Sequence, residues 1–201
     1  MTVFTKKDQK ILYIHVPKTG GTSIHRFFKC NGYEVSYYTE NTERYKGLCS
    51  SQHLHAELIK KEFDLSEFSY IFSTFRDPIE RLISEYVWRS YMFNERNLSL
   101  ENWIELIFEK YHYRNNYVND NHIRPQNEFY FEGLDVYDFN DIQNLESKLR
   151  SKLEIDGNIP LGKHNSFNSS RYIHNLADHC KNLIMEFYRD DYQWIKNNNL
   201  L

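Results

Sequence analysis

Short apolar runs followed by helical spacing recur along this chain. Residues 11–16 and 70–75 are runs of mostly apolar, β-branched and aromatic residues, and each ends at a turn that contains proline. Such runs predict strands buried in a sheet. Residues 23–29 and 78–87 follow these turns and carry apolar residues at helical spacing, with Asp77 placed to cap the second helix. The pattern therefore predicts two strand–turn–helix units.

The remaining segments extend this alternation. Residues 33–38 alternate like a strand, and with residues 11–16 they predict a β-α-β unit whose strands pair in parallel. The further predicted elements are a loop at 39–51, a helix at 53–63, a helix capped by Ser99, an irregular segment at 111–126, a strand at 134–139, and helices at 142–153 and 170–187. This order predicts an α/β fold: a three-layer, P-loop-like domain with a central, mainly parallel sheet flanked by helices. No linker interrupts the pattern, which predicts a single domain over residues 1–201.

Composition restricts the partners of such a domain. The 28 acidic and 25 basic side chains leave a net charge of −3, so no global positive field favours nucleic acid as a partner. Mean hydropathy is −0.73, and no run approaches the ~18 apolar residues of a membrane span. Residues 1–7 do not resemble a signal peptide, so a cytoplasmic location is expected, although a chain trimmed of an anchor for the Golgi lumen would look the same. These features do not predict an oligomeric state.

Cysteine and histidine spacing does not predict a metal site. Cys30, Cys49 and Cys180 are an odd set without C-x-x-C spacing and are expected to be reduced. The nine histidines contain no H-E-x-x-H pattern, so no metal is expected.

The turn between the first predicted strand and helix has the composition of a phosphate-binding loop. Its residues are Pro17, Lys18, Thr19, Gly20, Gly21, Thr22 and Ser23. Backbone N–H groups at a helix start attract an anion, glycines let a phosphate approach, and hydroxyls and a lysine add donors. Lys18 precedes the glycines, whereas a Walker A loop carries its lysine after them, which argues against a kinase or ATPase. The alternative is a tight capped turn without a ligand.

A second anion site is predicted where the next strand ends. Arg76 follows that strand and Ser84 lies two turns into the helix behind it, so that guanidinium and hydroxyl can share one anion. Arg81 adds charge to the same helix. Alternatively, these arginines pair with Glu80 and Glu85 at helical spacing.

Together these two segments resemble the signature segments of sulfotransferases that use 3′-phosphoadenosine 5′-phosphosulfate (PAPS). The similarity is closest to carbohydrate sulfotransferases of the heparan sulfate 2-O, chondroitin and HNK-1 groups and to their short bacterial relatives. It extends over most of the chain, since residues 122–126 resemble the H-x-x-P-Q segment of that group and residues 188–192 its C-terminal ending. The resemblance implies a PAPS-dependent enzyme that acts on a hydroxyl of a small-molecule or oligosaccharide acceptor.

The resemblance also implies roles for both turns. The first would hold the 5′-phosphosulfate, with Lys18 near the bridging oxygen, while Arg76 and Ser84 would hold the 3′-phosphate. A preorganised lysine and backbone donors stabilise the charge on the departing phosphate of PAP, the bisphosphate product, without a metal. Further contacts to the 3′-phosphate or the adenine are implied for residues 162–168.

A base for the acceptor hydroxyl is expected in residues 51–57. By resemblance His53 matches the histidine of a bacterial H-x-x-A pattern and ranks first, His55 matches the second member of an H-x-H pair, and Glu57 is a reserve. A neutral histidine accepts a proton near neutral pH. The alternative is a surface or helix-capping histidine.

The acceptor site and two other functions remain open at this level. His122, Arg124 and Gln126 could line the acceptor site or belong to a buried loop held by hydrogen bonds. A Mg²⁺-dependent nucleotide phosphotransferase would need a carboxylate such as Asp77 at the end of a strand. A non-catalytic nucleotide-binding module is disfavoured by Lys18 and a candidate base, since simple binding needs neither.

Overall fold

A computed structural model describes the protein at residues 1–38, 44–93, 98–113, 115–164 and 169–200. Its strands are Thr2–Lys6 (β1), Gln9–Ile14 (β2), Glu34–Ser36 (β3), Arg44–Tyr45 (β4), Cys49–Ser50 (β5), Tyr70–Phe75 (β6) and Asp135–Asp138 (β7). Its helices are Gly21–Cys30 (α1), Ala56–Glu62 (α2), Pro78–Met92 (α3), Leu100–Tyr113 (α4), Ile142–Leu153 (α5), Ser170–His174 (α6), Asp178–Phe187 (α7) and Arg189–Asn197 (α8). Within these ranges no helix combines the length and apolar character that crossing a membrane requires.

The main sheet has the strand order β3-β1-β2-β6-β7. Strand β6 pairs in parallel with β2 and with β7, and β1 runs antiparallel to both of its neighbours. Four of the five strands therefore run in one direction, which confirms the predicted mainly parallel α/β sheet. Because Ile14 is paired with Ser73, the turns after β2 and β6 leave the sheet side by side at their carboxyl ends.

The predicted parallel pair between residues 11–16 and 33–38 is wrong. Strand β1, which the sequence patterns did not predict, lies between them and pairs with both. It forms a hairpin with β2 through a tight turn in which Lys7 has a φ of 52°. The turn lacks the Asn-Gly or Asp-Gly signal of such hairpins. Polar residues surround the buried Val3 and Phe4 of β1, so its sequence has no apolar run that predicts a strand.

Helices cover both faces of the sheet, as the alternation of side chains along β2 requires. Ile11 faces one layer, where it shares a core with Phe28 of α1 and Leu149 of α5. Leu12 faces the opposite layer, where it shares a core with Ile59 of α2. A further apolar cluster joins α3, α4 and α7. This arrangement confirms helices on both sides of a central sheet.

Several predicted boundaries need correction. The predicted loop at 39–51 contains the short pair β4 and β5, with residues 39–43 outside the described part of the chain. The helix expected from residue 53 begins at Ala56, because His53 ends a 3-10 turn over Ser51–His53. The helix expected over 170–187 is two helices separated by an extended Ala177. Helix α8 was not predicted, and it begins within the 188–192 segment.

Helix α3 begins as predicted and carries most of the side chains that meet at the turns. Asp77 caps it by accepting a hydrogen bond from the backbone N–H of Glu80 at 3.0 Å, and Pro78 occupies its first turn. Arg81, Glu85 and Trp88 follow at spacings of four and three residues, so they lie on one face of the helix.

Candidate active site

The turn at residues 17–23 is fastened to strand β6 from below. The Thr19 hydroxyl donates to the carbonyl of Val16 at 2.8 Å, and the Thr74 hydroxyl of β6 donates to the carbonyl of Thr19 at 2.9 Å. Thr19 is fully buried, and its hydrogen bonds to Val16 and Thr74 stabilise the turn. The first backbone N–H groups of α1 have no partner within the helix and lie at its positive end, where an anion is favoured.

The two glycines of this turn are required by packing beneath it. Gly20 has a φ of 95°, and a Cβ placed there would lie 2.0 Å from the Phe139 ring. A Cβ on Gly21 would lie 1.8 Å from Nε2 of His15. The backbone therefore rests directly on two rings, and no larger residue fits without displacing them. The sequence predicted glycine here because a phosphate must approach the backbone. The packing on these two rings is a second reason.

The remaining side chains of the turn differ in exposure. Pro17 and Ser23 are buried, and Thr22 is half-buried. The Ser23 hydroxyl accepts a hydrogen bond from the backbone N–H of His164 at 2.9 Å. This contact brings the predicted 162–168 loop onto the first turn of α1, with residues 165–168 outside the described chain.

Lys18 places its ammonium group in a largely buried position above helix α3. It adopts the left-handed backbone conformation with a φ of 67°, and its Nζ lies 4.7 Å from the centre of the Trp88 ring. Burial lowers the pKa of Lys18 to about 8, with Glu85 opposing this change and Arg76 adding to it. The ammonium is therefore still charged at neutral pH, and it interacts with the carboxylate of Glu85 and the ring of Trp88.

Arg76 and Ser84 lie on the neighbouring turn and helix. Both are half-buried. The Nε of Arg76 donates to Glu80 at 3.1 Å, which is the helical pairing that the sequence left open. The side-chain amide of Gln126 holds the backbone of Arg76, accepting from its N–H at 3.1 Å and donating to its carbonyl at 2.9 Å. Gln126 thus contributes to the position of Arg76.

Arg81 was expected to add charge to the anion site, and that expectation is wrong. Its guanidinium is buried and donates to the carbonyls of His122 at 3.0 Å and Arg124 at 2.7 Å. It also lies 5.2 Å from the ring of Tyr188. The side chain is used to hold the 122–124 segment against α3, because buried carbonyls need donors and a buried guanidinium needs acceptors.

The side chain of His122 joins this segment to the lysine. Its Nδ1 lies 2.6 Å from Glu85, and its ring stacks on Trp88 with centroids 5.6 Å apart. Glu85 is fully buried; burial works to raise its pKa, but its interaction with His122, which includes a hydrogen bond, and the charges of Lys18 and Arg89 outweigh burial and lower it. Glu85 is therefore an ionised carboxylate that connects His122 and Lys18.

His53 meets the same cluster from the opposite side. Its ring lies edge-on to His122 at 4.8 Å and to His15 at 4.9 Å. Its Nδ1 lies 2.8 Å from Asp120 and 3.2 Å from the Ser50 hydroxyl. Burial lowers the pKa of His53 to about 4, against the opposing effect of Asp120. His53 is therefore neutral at pH 7, the form in which an imidazole accepts a proton.

The other two candidate bases lie elsewhere. His55 occupies the N-cap of α2, where its Nδ1 accepts from the backbone N–H of Leu58 at 3.5 Å, and its Nε2 lies 3.4 Å from the Tyr117 hydroxyl. Glu57 is exposed and pairs loosely with Lys61 at 3.7 Å. Both line a separate cavity of about 230 Å³, whose lining residues are His55, Ala56, Glu57, Lys60, Arg124 and Glu128. The fold thus separates His53 from its two alternatives.

Arg124 is a part of the protein interior. Its Nε donates to Asn121 at 3.0 Å, it is paired with Glu128, and its guanidinium lies 4.9 Å from the Tyr117 ring. With the clamp from Gln126, this matches the buried loop that the sequence offered as one of two interpretations. A contact of either side chain with an acceptor stays a prediction.

The carboxylate of Asp120 was missed by the sequence patterns. Residues 119–121 read Asn-Asp-Asn inside a segment interpreted as irregular, and all three have positive φ values, of 52°, 59° and 65°. Asparagine and aspartate tolerate this left-handed conformation better than most residues. The Asn-rich composition was therefore the available signal for a tight turn that aims a carboxylate.

One group of described residues has the composition of a metal site, although none was expected. Single ligand atoms of His53, Asp120 and His122 all lie within 4.8 Å of one another. Spacing along the chain could not show this, because His53 is separated from the other two by the whole of β6, α3 and α4. In the observed geometry Asp120 is bonded to the His53 ring and Glu85 to the His122 ring, so each carboxylate orients a histidine.

A comparison with protein families gives a match over most of the chain. A family model described as the sulfotransferase family matches residues 1–194. The chain belongs to the sulfotransferase family. Comparisons with curated proteins and with solved structures return no match. The family supports sulfuryl transfer in general, and the donor, the acceptor and the acting residues of this sulfotransferase are considered below.

We expect Gly20→Ala to destabilise this sulfotransferase more than Gly133→Ala. Both glycines have left-handed φ values, of 95° and 86°, but a Cβ at Gly133 meets nothing within 4 Å. The Gly133 variant should lose about 1 kcal/mol of the free energy of unfolding from backbone strain. The Gly20 variant should lose roughly 1–3 kcal/mol more, because it also overpacks against Phe139. Urea unfolding measures both; equal losses would show that the ring yields at no cost.

Proposed function

We propose that this protein transfers a sulfuryl group from PAPS to a hydroxyl group, and that the acceptor is a carbohydrate. The observation that carries the proposal is the convergence of Lys18 and His53 on the stacked rings of Trp88 and His122: the Lys18 ammonium lies over Trp88, and the His53 ring lies edge-on to His122. One segment of the chain thus provides an ammonium group that can stabilise a leaving phosphate, and a separate segment provides a neutral imidazole. The same proposal includes a P-loop-like fold, in which the turn after the first parallel strand binds a phosphate.

The donor is placed by the two turns. The start of α1 and Lys18 bind the 5′-phosphosulfate, while Arg76 and Ser84 bind the 3′-phosphate. The parallel pairing of β2 and β6 supports this assignment, since it brings both turns to one edge of the sheet. Separate sites for two phosphates favour a nucleotide bisphosphate over a mononucleotide. Lys163, in the loop that packs on Ser23, is a further candidate contact to the nucleotide, and its Nζ lies 5.8 Å from the centre of the Phe139 ring.

The reaction is an in-line displacement at sulfur. The acceptor oxygen forms a bond to sulfur as the bond between sulfur and the bridging oxygen breaks, and PAP departs with the electron pair of that bond. Lys18 stabilises the negative charge that develops on the departing phosphate, an interaction stronger in the transition state than in the ground state. The proton of the acceptor hydroxyl passes to His53.

The phosphotransferase alternative receives no support from Asp77. Its carboxylate caps α3 and accepts a hydrogen bond from the Tyr192 hydroxyl at 3.3 Å. A carboxylate occupied in this way is a poor candidate for holding Mg²⁺.

The proposed reaction can be tested directly with labelled PAPS and a panel of oligosaccharides in the presence of EDTA. We expect a sulfated oligosaccharide and PAP in equal amounts. A parallel reaction with ATP and Mg²⁺ should give no phosphorylated product. Phosphorylation without sulfation would contradict the proposal, and sulfation that disappears in EDTA and returns with Zn²⁺ would assign the His53–Asp120–His122 group a metal in this reaction.

Substitution of Lys18 should separate catalysis from binding. In Lys18→Met we expect kcat to fall by about 100-fold, the usual cost of removing one donor to a developing negative charge, with only a small change in the Kd of PAP. Lys29→Met, at the exposed end of α1, is the matched control and should retain both. Stopped-time sulfation and calorimetric titration of PAP supply the two quantities. Equal losses in both would remove Lys18 from the transition-state role.

The pH dependence of kcat/KM should be bell-shaped. His53 acts as a base when neutral, so activity is present above its pKa of about 4 and is lost as the pH falls through that value. Lys18 acts when protonated, so activity is present below its pKa of about 8 and is lost as the pH rises through it. The profile of the free enzyme reports both values. Lys18→Arg should remove the alkaline limb, and an unchanged limb in that variant would assign it to another group.

A further inference from the structure

We infer that Asp120 is a positioning residue for His53: its carboxylate holds the imidazole as the tautomer with the proton on Nδ1, which leaves the lone pair of Nε2 to receive the proton of the acceptor. This inference rests on the proposed function and concerns the same site. It adds a residue that the sulfotransferase motifs in the chain do not contain.

The backbone at Asp120 is built for one orientation of its side chain. Three successive residues, Asn119 to Asn121, adopt the left-handed conformation that most side chains avoid. Asparagine and aspartate tolerate this conformation better than most residues, and surrounding contacts fix it here. Here Asn121 supplies the contacts, since its amide donates to the carbonyl of His53 at 2.9 Å and its carbonyl oxygen accepts from Arg124 at 3.0 Å. The turn is thereby bound to the segment that carries His53.

The hydrogen bonds of the carboxylate determine the tautomer. Oδ1 of Asp120 accepts from the backbone N–H of Ser50 at 2.5 Å, and Oδ2 accepts from the Ser50 hydroxyl at 2.7 Å. Oδ2 also lies 2.8 Å from Nδ1 of His53. An ionised carboxylate can only accept, so the proton must reside on Nδ1. The geometry is that of a histidine oriented by a half-buried carboxylate, with Nε2 as its acceptor.

Asp120→Asn reverses this arrangement with a nearly isosteric side chain. The backbone N–H of Ser50 can only donate, so the amide oxygen of the new side chain must remain on it. The NH₂ group then occupies the place of Oδ2 and donates to Nδ1 of His53. His53 is forced into the tautomer with the proton on Nε2, which cannot accept a proton from a hydroxyl.

The first measurement is the tautomer itself, read from long-range ¹⁵N–¹H correlations of the histidine rings. His53→Gln identifies the His53 signals among the nine histidines. We expect the wild-type protein to carry the proton on Nδ1 and Asp120→Asn to carry it on Nε2. A wild-type His53 protonated on Nε2, or a pattern that changes on addition of EDTA because a metal ion occupies one ring nitrogen, would overturn the inference without any variant.

The second measurement is turnover. We expect Asp120→Asn to lower kcat by about 100-fold or more, the contribution of a well-placed general base, while the Kd of PAP changes less than about twofold. Asp190→Asn is the matched control, because Asp190 is exposed on α8 and pairs loosely with Arg189 at 3.9 Å. Thermal unfolding of each variant shows that the chain is folded. Full turnover with the reversed tautomer would overturn the role of Asp120.

The outcomes separate this inference from the proposed function. If the wild-type protein sulfates no acceptor, the proposed function fails, and the tautomer measurement still decides whether Asp120 orients His53. If the wild-type protein is active and Asp120→Asn retains both its rate and its tautomer, the proposed function stands and the inference about Asp120 fails.

Discussion

The parallel pairing of β2 with β6 is the constraint on which the rest of the site depends. It sets Ile14 beside Ser73, whose hydroxyl donates to the Ile14 carbonyl at 2.7 Å. Beyond this last pair of the two strands, the Thr74 hydroxyl donates to the Thr19 carbonyl and also lies 2.9 Å from the Thr19 hydroxyl. Both turns therefore leave the sheet at one level, and the start of α1 lies next to the start of α3. A displacement of one residue in this register would separate Lys18 from the helix face that carries Glu85 and Trp88.

A second constraint is the burial of charge. Lys18, Glu85, His122, His53 and Asp120 form a set in which each buried polar group has a neighbour of complementary charge or hydrogen-bonding capacity. Isolated buried charges are costly, and paired ones persist only when the remaining contacts are satisfied. Arg81 meets this requirement for the backbone by donating to two carbonyls of the segment that carries His122. The set is not fully satisfied: among the described residues Oε1 of Glu85 makes no hydrogen bond and has the Arg89 guanidinium at 3.8 Å, and burial lowers the pKa of both Lys18 and His53.

Local patterns predicted the parts of the fold that are set by neighbouring residues. The β6 strand and the helix that follows Asp77 have an apolar run, a capping side chain and a proline within a few positions, so strand, cap and helix were all found. The predicted pairing of residues 11–16 with 33–38 was wrong, since the neighbour of a strand in a sheet depends on distant segments of the chain. The Thr2–Lys6 strand lies between the two segments because it forms a hairpin with Gln9–Ile14, and the turn of that hairpin has no strong sequence signal. The helix Arg189–Asn197 was missed because its apolar residues are few, and it gains stability from buried contacts such as Asp191 with the backbone of Gln126 and Asn127.

For the site, the same division holds. The sequence by itself determined the turn with its lysine and two glycines, the capped helix that carries Ser84 with Arg76 just before its cap, and the short set of histidines from which a base is chosen, because composition and spacing within a few residues specify each. Only the tertiary structure decided that His53 and not His55 lies against the His122 ring, that Arg81 supports a backbone segment, and that Asp120 holds the His53 ring. His53 and Asp120 are 67 residues apart, and the physical reason is that their contact depends on strand order and on a left-handed turn, neither of which a local pattern encodes.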